Sequence, residues 1–184
     1  MQCIRCSKET ETVLEQEKLC KQCFFENIEH RARKTLKQFS LTKGNKILII
    51  ADGTKESIVS DYIFRKITAQ IPLIIHTKKK DALQLETEQK NYTAVVVPWD
   101  LDDETASFID TMINNKEIEK TKTIKLLQNI YDKEIKLYAD LNNFTYAEQE
   151  KTKIHKALEA LEKGHPGTEL AMLNAIKNFE QNKS

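Results

Sequence analysis

The chain has 184 residues, 40% hydrophobic and 31% charged, with 29 Lys and Arg against 28 Asp and Glu and a formal net charge of +1. That length allows one domain of ordinary size with a small appendage. The balanced charge excludes a wholesale electrostatic grip on nucleic acid, which would have to rest on local clusters. No apolar run approaches a membrane span, and four Gly and three Pro are too few for long disordered stretches.

Cys3, Cys6, Cys20 and Cys23 are the only cysteines and form two CxxC pairs. Each pair is a tight knuckle that aims two thiolates at one point. Two knuckles supply the four soft ligands of a tetrahedral structural zinc site. Ser7 to Leu19 leaves room for a short hairpin, and the spacing is that of a zinc ribbon. An iron–sulfur centre is the main chemical rival. Two disulfides are a weaker one, because Met1-Gln2-Cys3 enters the motif with no secretory signal before it. Cytoplasm is the expected compartment. A closed four-thiolate site has no open coordination position, so its expected role is to hold the fold.

Cys23 to Phe39 reads as a helix, with Phe24, Ile28, Ala32, Thr35, Leu36 and Phe39 at helical spacing. Arg31, Arg33, Lys34 and Lys37 crowd its second half, either as a solvated face or as contacts to phosphate. Ser40 to Asn45 is a linker. Lys46 to Ala51 carries a continuous run rich in β-branched residues, apolar from Ile47 on, of the kind that forms a strand buried on both faces. The turn Asp52-Gly53-Thr54 leads into a helix from Lys55 to Thr68. Pro72 to His76 reads as a second buried strand and Thr93 to Val97 as a third, ended by Pro98. Ala82 to Glu88 reads as a short helix. Glu104 to Ile113 is a stronger one, with Leu101, Asp102 and Asp103 at its start. Helices are also expected over Glu134 to Leu141 and Tyr146 to Lys163. After the break at Gly164-His165-Pro166-Gly167, Thr168 caps a last helix running to about Phe179. Strands alternating with helices predict a parallel α/β sheet with helices on both faces.

A strand–turn–helix such as residues 46 to 68 is where a phosphate loop sits, with backbone N–H groups of the helix N-terminus facing the strand end. Asp52-Gly53-Thr54-Lys55-Glu56-Ser57 resembles the SGGKDS loop of the PP-loop ATP pyrophosphatase superfamily, which adenylates its substrates. Leu101-Asp102-Asp103-Glu104 resembles the GHNLDDEA segment of one branch, the tRNA 2-thiouridine synthetases. Ile124 to Ile130 and Lys133 to Ala139 are similar to that branch's KPLREIPEKEVALYA stretch, and Tyr146-Ala147-Glu148 and Pro166-Gly167-Thr168 to its PYAE and PGT elements. A zinc ribbon followed by a basic helix, here Arg31 to Leu36, is also characteristic of it. The resemblance covers nearly the whole chain, in order. It implies a PP-loop (adenine nucleotide alpha hydrolase-like) domain over residues 40–184, preceded by a zinc ribbon and basic connecting helix over residues 1–39.

The departures from the family pattern carry as much information. Asp52 stands where the loop has Ser, and its carboxylate would repel a triphosphate. Thr54 replaces the second Gly and adds a Cβ where backbone must approach phosphate. Lys55, Glu56 and Ser57 keep part of the loop. Pro98-Trp99-Asp100 replaces GHN, and Trp99 reads as a plug in the vacant cleft. The stretch from Thr77 to Val97, where the family places an active cysteine, has none, and the position of a second one is Phe144. His30, His76, His155 and His165 read as isolated structural or surface residues, and Asp102 and Asp103 as helix caps rather than Mg²⁺ ligands.

The resemblance therefore implies a noncatalytic subunit of a tRNA 2-thiolation complex, heteromeric with a catalytic thiolase paralogue. Structural zinc, no bound ATP and no iron–sulfur cluster are expected, with Arg31, Arg33, Lys34 and Lys37 contacting tRNA or the partner. The other readings are a minimal ATP-dependent thiolase that takes sulfide directly and a zinc-ribbon adaptor unrelated to tRNA.

Overall fold

The computed structural model describes residues 2–9, 18–79, 90–114 and 123–182. Among these, the strands are β1 (Lys46–Ala51), β2 (Ile74–Lys79), β3 (Ala94–Val96) and β4 (Thr123–Ile124). The helices are α1 (Lys21–Leu36), α2 (Lys55–Thr68), α3 (Leu101–Ile113), α4 (Asp132–Leu141), α5 (Lys153–Gly164) and α6 (Thr168–Asn182). All strand pairs are parallel, in the order β2-β1-β3-β4. The expected α/β class and parallel sheet are present.

Alternation along β1 explains its continuous apolar run. Ile47 and Ile49 join Ala94, Val96 and Ile124 on one face, and Leu48, Ile50 and Val95 cluster on the other. Against the first face pack Phe24, Ile28 and Ala32 of α1, Val59, Ile63 and Phe64 of α2, and Ile135, Tyr138 and Ala139 of α4. Leaving any one of the larger aliphatic or Phe side chains in water instead would forgo about 1.5–3 kcal/mol.

β2 differs from its expectation. It starts two residues later, runs to Lys79, and none of its residues is fully buried; Ile74 is 44% exposed. The reason is its place at the sheet edge, where among the described residues only β1 pairs with it. The apolar run Leu73-Ile74-Ile75 records strand propensity, not depth.

Helix boundaries move for local reasons. Cys20 caps α1 by accepting a bond from the Cys23 amide at 3.4 Å, so the helix starts at Lys21. Asp100 caps α3 in a reciprocal box with Asp103, so that helix begins at Leu101 and not at Glu104. Thr152 caps α5, and residues 146–152 are not helical. The Ala147 amide instead donates to Gly53 O at 2.9 Å, and Ala147 bridges Thr54 in parallel. β4 was not expected. The expected helix at Ala82 to Glu88 lies outside the described residues.

α1 and α4 run antiparallel. Lys21 Nζ, at the start of α1, donates to Leu141 O at the end of α4 (2.7 Å), while Arg31 Nη1 reaches Glu134 Oε1 near the start of α4 (2.6 Å). Among the described residues no helix is long and apolar enough to cross a membrane.

Candidate functional site

The chain leaves β1 for β2 on one side and returns to β3 on the other. The crevice at the C-terminal ends of β1 and β3 is thus the topological switch point, where open α/β sheets bind ligands. A pocket lies there, lined by Lys55, Glu56, Asp100, Asp102, Asp103, Asp132, residues 149–152 and His155. The expected nucleotide loop supplies Lys55 and Glu56 to it. The segment 149–152 reaches it because Ala147 is stitched to Gly53 and Thr54.

The loop's amides are occupied by the loop itself. Gly53, with φ +85°, makes the turn that Cβ-bearing residues resist. Its N–H goes to Ser57 Oγ (3.2 Å), the Thr54 N–H to Asp52 Oδ1 (3.1 Å) and the Ser57 N–H to Thr54 Oγ1 (3.3 Å). Thr54 Oγ1 also donates to Asp52 Oδ1 at 2.7 Å. Asp52 and Thr54 therefore act as a linked pair. Asp52 fixes Thr54, and Thr54 caps α2. Three amides that a phosphate would need, those of Gly53, Thr54 and Ser57, are thus already used.

Lys55 turns inward. Its Nζ sits 2.7 Å from Glu56 Oε1 and 2.7 Å from Asp132 Oδ1. Burial alone would lower its pKa, but the two carboxylates outweigh burial and hold the ammonium above its ordinary range. Asp132 is likewise pushed up by burial and held below the usual carboxylate range by Lys55 and Lys151. Burial raises Glu56 despite Lys55. Asp100, 2% exposed, is raised well above the ordinary value by burial and by the neighbouring Asp103 and Asp102. Burial also raises Asp102, against the Asp132 amide that donates to it. The pocket carries more carboxylate than it can neutralise.

His155 is not isolated. Its Nε2 lies 3.2 Å from Asp103 Oδ1 and its Nδ1 2.7 Å from Thr152 Oγ1, and the Asp103 bond raises its pKa. Trp99 does not plug the cleft. Its indole N–H donates to Glu104 Oε2 (2.6 Å), with Lys125 Nζ 4.8 Å from the ring centroid, and it is not among the pocket walls. Lys55 fills the role that Trp99 was expected to play.

The four cysteines converge as their spacing requires. Each can place its sulfur within 4.8 Å of the others, and Cys6 and Cys20 sulfurs are 3.9 Å apart. A tetrahedron of edge about 3.8 Å surrounds an ion bound at ~2.3 Å. Amides at Cys20, Cys6 and Arg5 hold the Cys3 thiol down at about 6, while burial and the other thiols push Cys23 up to about 12. The cluster is tied to the C-terminal end of α4 through Lys21, and the strand-end pocket lies at the start of that helix. Ten residues of α4 separate the two, roughly 15 Å.

The basic helix divides. Arg31 is half-buried and committed to Glu134 and to the Asn129 carbonyl. Arg33 leans 3.6 Å from Glu29. Lys34 and Lys37 are exposed. No sequence signal distinguished Arg31, because Glu134 is remote in the chain.

No family model and no curated protein sequence matches the chain. Among solved structures it is similar to the U34-tRNA thiolase NcsA from Methanococcus maripaludis, described with its [4Fe-4S] cluster. The identity is 16%, over 97% of this chain and 88% of that one, with a TM-score of 0.78. The chain has the fold of that thiolase. The comparison corrects one expectation, that of zinc with no iron–sulfur cluster. The neighbour carries such a cluster, and the four converging thiols here are the donor set that iron–sulfur clusters use. The exclusion of iron–sulfur chemistry is withdrawn.

Proposed function

We propose that this chain is a noncatalytic, cytoplasmic subunit of a tRNA 2-thiolation complex, supporting sulfuration of a tRNA uridine, in the wobble position, by an active thiolase partner. The fold shared with a U34-tRNA thiolase supports the substrate class. The observation that carries the noncatalytic reading is the separation of sulfur from the cleft. All four cysteines belong to the N-terminal cluster, and that cluster sits at the far end of α4 from the strand-end pocket. Persulfide transfer at the pocket needs a thiolate there, and the cysteines of this chain lie elsewhere. The self-bonded loop and the carboxylate-rich walls further oppose a polyphosphate.

In this reading the four-cysteine centre, with an iron–sulfur cluster among the occupants it can take, braces the start of α1. The exposed Lys34 and Lys37, with Arg33, add local positive charge for the tRNA backbone. The test is reconstitution. The purified chain alone should release no AMP from ATP and form no 2-thiouridine in the presence of tRNA and a sulfur donor, and addition of the partner thiolase should restore both. Turnover by the isolated chain would favour the minimal-thiolase reading.

A further inference from the structure

Three carboxylates from three separate elements meet in the strand-end pocket. Glu56 comes from the first turn of α2, Asp100 from the cap of α3 and Asp132 from the first residue of α4. Each can place an oxygen within 4.8 Å of the others. Glu56 is 5% exposed, lines the pocket, and among the described residues its Oε2 has no hydrogen-bond partner. A buried carboxylate oxygen with no donor costs free energy that a ligand would recover. Among the described residues, Lys55 pairs with Glu56 Oε1 and Asp132 Oδ1. Asp132 Oδ2 has Lys151 at 3.2 Å. Asp100 Oδ1 accepts the Asp103 amide at 2.8 Å, and among the described residues no ion pair reaches Asp100.

We propose that this pocket is a site for a hard divalent cation, held by Glu56, Asp100 and Asp132 without any nucleotide, and that the Lys55 ammonium is a resident counter-ion which the cation displaces. Carboxylate oxygens with no nitrogen or sulfur select Mg²⁺, Mn²⁺ or Ca²⁺. The Lys55 stem has four rotatable carbons, so its head can leave while the backbone of α2 stays in place. The proposal goes beyond the tRNA reading and does not depend on it.

Mn²⁺ is the probe, followed by the loss of its free-ion EPR signal, on the full chain with its thiolate-bound metal left in place. Wild type should take up one Mn²⁺ with a Kd at or below about 1 mM. Glu56→Gln should weaken binding by about tenfold or more, and Lys55→Met, which removes the competing charge, should tighten it by about tenfold. Circular dichroism checks that each variant is folded, and if Glu56→Gln is not, Lys55→Met decides. Absence of binding to wild type at about 1 mM overturns the proposal. So does a folded Glu56→Gln, or a Lys55→Met, with wild-type affinity.

Discussion

Lys55 Nζ lies 2.7 Å from Asp132 Oδ1 and so joins the first turn of α2 to the first turn of α4 across the strand ends. Both side chains are largely buried, and Glu56 completes the group. A lysine at the head of a phosphate loop normally faces its ligand. Here it faces the protein.

Breaking that contact should cost stability. In buffer without divalent cations, Lys55→Met should lower the unfolding free energy by about 3 kcal/mol, because buried Glu56 loses its counter-ion and Asp132 is left with Lys151. Urea denaturation measures it. A double-mutant cycle with Asp132→Asn should show a coupling of about 1 kcal/mol or more, and additive effects would mean that the pair contributes little.

The four-cysteine centre and local folding should be one event. Cys20→Ser should lose the bound metal and also weaken the cap of α1, where the Cys20 sulfur accepts the Cys23 amide. Hydrogen exchange should then accelerate over residues 2–9 and 18–24 while β1 stays protected. Uniform protection in the metal-free variant would contradict a bracing role.

Only part of the site could be read from the sequence. β1 and the helix Lys55–Thr68 were legible because burial on both faces and helical spacing are local patterns. The four cysteines were legible because their spacing states their geometry. The edge position of β2 was not, since strand order is a property of the sheet. Nor was the meeting of Glu56, Asp100 and Asp132, which depends on three helix starts converging. The loop substitutions Asp52 and Thr54 were read singly, as charge and as bulk. The bond between them, which turns the loop's amides inward, needs the turn's geometry.

Charge reversal should be targeted by burial. Lys34→Glu with Lys37→Glu should leave the fold intact, lower tRNA affinity and flatten its salt dependence by a slope of about 1 per lysine. Arg31→Glu should instead destabilise the protein, because it sets a second carboxylate against Glu134, whose side chain is 4% exposed. Equal tRNA binding by the double reversal would make that face of α1 a solvated surface.

Glu169 gives the stability a pH dependence. Burial, then the Asp102 carboxylate, pushes its pKa up from 4.5 to about 8; Glu162 adds to the rise and Lys151 opposes it. Between those values the folded chain keeps a proton that the unfolded chain has lost. Its contribution is therefore full below about 4.5 and is lost as pH rises through about 8. Glu169→Gln should flatten the fall in melting temperature across that window. An unchanged slope would assign the effect to other carboxylates.

The most direct test of the central claim is the 2-thiouridine content of tRNA from cells lacking this chain, measured by mass spectrometry of nucleosides. The account predicts a clear loss, restored by the wild-type chain and equally by Asp103→Asn, which alters the pocket while keeping the cap of α3. Normal 2-thiouridine in the deleted cells would contradict a role in tRNA thiolation, and loss of rescue by a folded Asp103→Asn would contradict a noncatalytic one.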